Sequence, residues 1–161
     1  MKKSLTRLAS PILLSLTLAS VAVLAQEHAI YSETADAKVD IQNALTKAEK
    51  QHKRVILDFG GNWCGDCRSL DAYFHQGPNA ILLKANYILV DVNIGKWDKN
   101  KDLAKKYEVP LEKGVPALAV LDPSGKVVYS QKNGEFESMR TMEPASVTKF
   151  LQQWKPDSPS N

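Results

Sequence analysis

The sequence predicts an α/β domain with a central mixed β-sheet flanked by helices on both faces. Three observations predict it. Segments with helical spacing of apolar residues alternate with short β-branched runs. One strand–helix–strand unit has the length of a parallel crossover. A later pair of strands is joined by Asp122-Pro123-Ser124-Gly125, a hairpin turn. The 161 residues suffice for one domain with one core.

The elements follow in order. From Ala35 to Lys53, apolar residues at Val39, Ile41, Ala44, Leu45 and Ala48 make one face of an amphipathic helix. Val55-Ile56-Leu57-Asp58-Phe59 reads as a buried strand, ended by Gly60-Gly61-Asn62. A helix starts at the cysteines and carries Leu70, Tyr73 and Phe74; Gly77-Pro78 breaks it, and Asn79 to Lys84 makes another short one. Tyr87 to Val92 is the second strand, and a lysine-rich helix runs from Asp98 to Tyr107, before Pro110. Val115 to Leu121 is the third strand, and Lys126 to Gln131 its hairpin partner. The last helix opens at Glu143-Pro144, where proline suits the first turn, and ends at Trp154.

The ends have a different character. Lys2, Lys3 and Arg7 precede an apolar, acid-free run from Leu8 to Leu24, with small Ala25 at the cleavage point. This layout predicts a signal peptide over 1–25, hence export to a periplasmic or secreted location. Residues 26–37 read as a flexible lead-in, 38–155 as the domain and 156–161 as a disordered tail. Without the first 25 residues the formal charge of +3 falls to 0, because three basic residues and no acidic ones leave. That removes the case for nucleic-acid binding. With no second apolar stretch of spanning length, no membrane insertion is expected after cleavage.

Two cysteines in an exported chain ordinarily imply a structural bridge. Cys64-Gly65-Asp66-Cys67 closes so small a loop that little chain entropy is removed. Such a bridge is a poor staple and a good switch. Thiol–disulfide exchange needs one attackable thiolate and a second thiol that resolves the mixed disulfide. At a helix start, unsatisfied N–H groups and the helix dipole favour a partly exposed Cys64 thiolate, while Cys67, one turn on, is more buried. Closed zinc sites usually need four ligands, and His28, His52 and His75 are scattered, so no metal and no cofactor is expected.

Further candidates surround the pair. Asp58 has apolar flanks, so it reads as a buried carboxylate that accepts the Cys67 proton, against a side chain at a solvated strand end. Asp66 either disfavours the Cys64 thiolate or simply suits a helix first turn; Arg68 carries the opposite charge. Trp63 is a substrate contact or a packed aromatic. Val115-Pro116 is an ordinary strand start or a cis bond presenting backbone groups to the sulfurs.

Asp58-Phe59, Trp63-Cys64-Gly65-Asp66-Cys67, Gly114-Val115-Pro116-Ala117 and the following hairpin resemble the thioredoxin superfamily over about residues 38–155, in the manner of exported bacterial thioredoxin-like proteins. The resemblance implies the thioredoxin fold. It also implies that Cys64 attacks, Cys67 resolves, Asp58 relays a proton and Pro116 is cis. Trp63 and Val115 would border a substrate groove, with Gly65, Asp66 and Pro116 beside them. Two departures stand out: the middle dipeptide is Gly-Asp rather than Gly-Pro, and Asp91 stands where a lysine is common near the buried Asp. The segment Asn133 to Thr141 is also long, either a partner-specific loop or a surface insertion.

The expected function is an extracytoplasmic disulfide reductase. Its substrates would be protein thiols and disulfides, including misbridged proteins or apocytochromes awaiting haem. A membrane-bound thiol reductant would supply electrons, and the protein would work as a monomer. The alternatives are an oxidase or isomerase on the same fold, or a metal-delivery or binding module without turnover.

Overall fold

Val55, Ile56, Leu57 and Phe59 are all fully buried, which places their strand in the middle of the molecule. A computed structural model describes residues 29–157. The predicted signal at 1–25 and the last four residues of the predicted tail lie outside that range.

The sheet has four strands: β1 (Arg54–Gly60), β2 (Tyr87–Asn93), β3 (Ala117–Leu121) and β4 (Val127–Ser130), in the order β2-β1-β3-β4. β1 and β2 are parallel, while β1–β3 and β3–β4 are antiparallel. The sheet is therefore mixed, as the sequence predicts. Among the described residues, five helices cover it: α1 (Ala37–Gln51), α2 (Gly65–Phe74), α3 (Gly77–Asn86), α4 (Lys101–Lys106) and α5 (Pro144–Gln153).

Strand alternation divides the core in two. Val55, Leu57 and Phe59 pack with Ile41, Ala44 and Ala48 of α1 and Leu103 and Ala104 of α4. On the opposite face Ile56, Leu118 and Val120 pack with Leu70 and Phe74 of α2, Leu83 of α3, and Val147, Phe150 and Leu151 of α5. Among the described residues, no helix is long and apolar enough to cross a membrane.

The boundaries shift where local chemistry decides them. Asp36 caps α1, accepting from the N–H groups of Lys38 and Val39, so the helix starts two residues later than predicted. Gly77 and Pro78 do not merely break a helix: they form the first turn of α3. β3 starts at Ala117 because Pro116 supplies no ladder donor. α4 is only the second half of the predicted Asp98–Tyr107 helix. In the hairpin, Asp122 Oδ1 accepts from the N–H groups of Ser124 and Lys126, and Gly125 takes a positive φ of 85°.

Two segments are better anchored than their composition suggests. The span 26–37 was expected to be a flexible lead-in, yet Tyr31 within it is fully buried. Its backbone is held by Asn62: the Tyr31 N–H donates to Oδ1 at 3.0 Å, and Nδ2 donates to the Tyr31 carbonyl at 2.8 Å. The segment 133–141 also packs on the domain, through buried Phe136 and Met139. Burying side chains of this size stabilises the docked segment by roughly 1.5–3 kcal/mol each.

Candidate active site

β1 ends at Gly60, a short loop follows, and α2 begins at Gly65. Cys64 is the N-cap of α2 and is disulfide-bonded to Cys67 one turn on. The Cys67 N–H donates to Cys64 Sγ at 3.0 Å. Cys64 Sγ therefore lies at the positive end of the helix, against an otherwise unpaired backbone donor. That arrangement favours a thiolate there once the bridge is reduced. Cys64 is 5% exposed, less open than expected, and Cys67 is fully buried.

The Val115–Pro116 bond is cis, and the Val115 carbonyl oxygen lies 3.6 Å from Cys64 Sγ. Both residues are buried. Gln131 braces this turn, donating from Nε2 to the Pro116 carbonyl and accepting from the Leu118 N–H, each at 3.3 Å. Gln131 is fully buried, and no motif in the sequence marks it.

Asp58, on β1, is 1% exposed, so the buried placement is the observed one. Its Oδ2 accepts from the Tyr31 hydroxyl at 2.9 Å, while Oδ1 is buried without a partner. Burial pushes its pKa well above the carboxylate range. The Asp91 charge adds to this, the Tyr31 hydrogen bond opposes it, and Asp71 adds a smaller push. Asp91 is the residue beside Asp58 in the β1–β2 register. Burial, reinforced by Asp71 and opposed by His75, pushes Asp91 up to about 7. The site thus holds two neighbouring carboxylates and no lysine between them. Asp91 opens to a cleft shared with Ile30, Leu89 and the α2 residues Arg68, Asp71 and His75.

Asp66 is neither a bare charge beside the thiolate nor a simple helix-start residue. Arg140, from the 133–141 segment, meets it three ways: its N–H donates to Oδ1 at 2.9 Å, its Nε to Oδ2 at 3.1 Å, and its Nη2 lies 3.0 Å from Oδ2. Burial raises the Asp66 carboxyl, but these contacts outweigh it and hold the pKa below the ordinary value. The guanidinium also packs on Gly65: a Cβ there would meet Arg140 Cδ and Nε at 3.4 Å. Arg68, the expected counter-charge, instead donates to the Asn62 carbonyl at 2.7 Å.

Trp63 is 47% exposed, and its Nε1 donates to the Gly95 carbonyl at 2.6 Å. Trp97, in the loop after β2, is 43% exposed and stacks at a tilt on Trp63, with ring centroids 5.6 Å apart. It has a φ of 69°, a left-handed backbone that no sequence pattern announces. The structure therefore gathers Cys64, Cys67, Gly65, Asp66, Trp63, Val115, Pro116 and Asp58 around the helix start. It adds Tyr31, Arg140, Gln131 and Trp97.

Known proteins match this architecture. A family model described as thioredoxin-like matches residues 36–123. The crystal structure of a disulphide isomerase from Xylella fastidiosa Temecula1 is 34% identical, with a TM-score of 0.75 over 79% of this chain and 97% of that one. The thiol:disulfide interchange protein DsbD of Pseudomonas fluorescens is 26% identical over 123 residues, 75% of this chain but 19% of that protein. A protein disulfide-isomerase of Hordeum vulgare is 34% identical over 83 residues, 51% of this chain and 15% of that protein. The chain thus spans under a fifth of the length of these two larger relatives. With the family model covering more than half of the sequence and the redox pair at its helix start, the chain belongs to the thioredoxin-like family.

Proposed function

We propose that the protein is an exported protein-disulfide reductase that works through a mixed disulfide on Cys64. The reduced Cys64 thiolate attacks a substrate disulfide, forming a Cys64–substrate bond and releasing the other substrate sulfur as a thiolate. Cys67 loses its proton, attacks Cys64 Sγ and closes the intramolecular disulfide, and the second substrate sulfur leaves as a thiolate. Two electrons pass from the cysteine pair to the substrate.

The observation that carries this reading is Asp58, a buried carboxylate with one unpartnered oxygen, on the strand leading to the pair. Burial makes this carboxylate a stronger base than an exposed one, as a proton acceptor requires. It serves the second step, in which a buried thiol must become a nucleophile. Trp63 and Trp97 form the apolar wall against which a substrate segment lies, and the Val115 carbonyl borders Cys64 on the other side. Export rests on the N-terminal sequence pattern. A thiol reductant at the membrane then restores the dithiol, and the protein acts as a monomer.

Disulfide isomerisation is the second reading. It is favoured by the 34% identity to the Xylella protein described as a disulphide isomerase. An isomerase exchanges bridges through Cys64 and returns to the dithiol, whereas a reductase ends as the disulfide. Trapping tests the assignment of roles. Cys67→Ser is expected to accumulate a covalent adduct with a disulfide-containing substrate, dissolved by dithiothreitol. Cys64→Ser is expected to trap none. Equal trapping by both variants would refute the order of attack.

A further inference from the structure

We propose that Tyr31 is a proton-relay residue of the redox site, its buried hydroxyl carrying the Cys67 proton to Asp58 during resolution. The inference rests on the reductase reading above and adds a residue to it. Tyr31 comes from a segment that carries no helix, strand or motif, yet its ring is fully buried against the redox pair.

The hydroxyl donates to Asp58 Oδ2 at 2.9 Å. The hydroxyl and Cys67 Sγ both border Gly60. A Cβ built on Gly60 would collide with the hydroxyl, lie 2.6 Å from Tyr31 Cζ and lie 2.9 Å from Cys67 Sγ. Phenol and sulfur thus both lie within contact distance of the same point, and only a glycine leaves that point empty. Gly60 has no positive φ, so the space, not the backbone angle, requires the glycine.

The placement of the ring is itself fixed. Asn62, two residues before Cys64, clamps the Tyr31 peptide group through both its amide atoms. Arg68 of α2 holds the Asn62 carbonyl, and Asn93 at the end of β2 donates to the carbonyl of Ser32 at 3.0 Å. Each of these partners belongs to an element of the redox site.

The transfer balances as a coupled shift. The Cys67 proton moves to Tyr31 Oη as the Tyr31 proton moves to Asp58 Oδ2. Cys67 attacks Cys64, the Cys64–substrate bond breaks, and its electron pair leaves on the substrate sulfur. Asp58 ends as the acid, and Tyr31 remains a neutral phenol throughout. Burial, followed by the Asp58 charge, raises the Tyr31 pKa well above its ordinary value, which disfavours a phenolate. The groups that act on Asp58 are Tyr31 from the lead-in, Asp91 from β2 and Asp71 from α2, with Arg68 and His75 lining the cleft at Asp91.

The test uses the reduced mature protein and an aromatic disulfide reagent that releases a coloured thiolate twice. The first release reports attack by Cys64 and the second reports resolution by Cys67. In Tyr31→Phe the second release is expected to slow about tenfold between pH 6 and 8, a fraction of a full acid–base contribution. The first release should change less than twofold. In an Asp58→Asn background, Tyr31→Phe should add no further loss. A second release unchanged in Tyr31→Phe, or losses that multiply with Asp58→Asn, would overturn the relay. Solvent deuterium on the unsubstituted protein checks it without any variant: a curved proton inventory for the second release supports two moving protons, and a linear one overturns them. If the unsubstituted protein gives no second release, the reductase reading itself fails.

Discussion

Asp66 lies between the two cysteines, and its charge alone would oppose a thiolate on Cys64. The structure pairs that charge with Arg140, so the net field at the helix start is set by an ion pair rather than by a lone carboxylate. Arg140 is 68% exposed at its side chain, so salt and solvent weaken this effect. Arg140→Ala is expected to slow alkylation of reduced Cys64 about two- to threefold at pH 6–7, because uncompensated Asp66 then disfavours the thiolate. The decrease should fade in high salt. An unchanged alkylation rate at low salt would show that Asp66 does not act on Cys64. Asp66 itself was legible in the motif. Arg140 was not, because 74 residues separate the partners and nothing at the sequence level pairs them. Tyr31 and Trp97 were missed for a similar reason: each acts from a loop without periodicity.

The strand pair β1–β2 sets Asp58 beside Asp91 in a parallel register. Both carboxyls have folded pKa values above their ordinary range, near 7 for Asp91. Between about pH 4, where an unfolded carboxyl loses its proton, and about pH 7, where folded Asp91 loses its own, the folded protein binds more protons. Stability therefore falls as pH rises through that window. Asp91→Asn is expected to raise Tm by several degrees at pH 8, to change it little at pH 4 and to flatten the slope between. Thermal melts across that range check this, and a pH dependence identical in both proteins would contradict it. At this scale the strands were legible, because buried β-branched runs have few alternative structures. The short loops were less so. The long segment after β4 reads as an insertion by composition, yet Phe136 and Met139 dock it on the core and deliver Arg140 to α2. Isolated apolar residues in a polar stretch give no period from which such docking follows.

Across the whole molecule, sequence and structure agree on the mixed sheet, the helices on both faces and the redox pair at the start of α2. The agreement has a physical basis. The C-x-x-C spacing has chemical meaning only at a helix start after a strand, and the flanking hydrophobic patterns supply that context. What escaped the sequence is the shell around the pair: a phenol from the lead-in, a guanidinium from a late loop and a second tryptophan beside the first. These are tertiary contacts, set by how the chain closes on itself. The fold alone does not fix the direction of electron flow.

The reduction potential of the Cys64–Cys67 pair decides the direction of electron flow. The measurement equilibrates the protein with dithiothreitol or glutathione buffers and quantifies the dithiol at each ratio. A reductase is expected to show a value near that of thioredoxin, about −270 mV, at which the pair donates electrons to substrate disulfides. A value near about −120 mV, that of the strong oxidant DsbA, would contradict the reductase assignment and make the protein a disulfide donor.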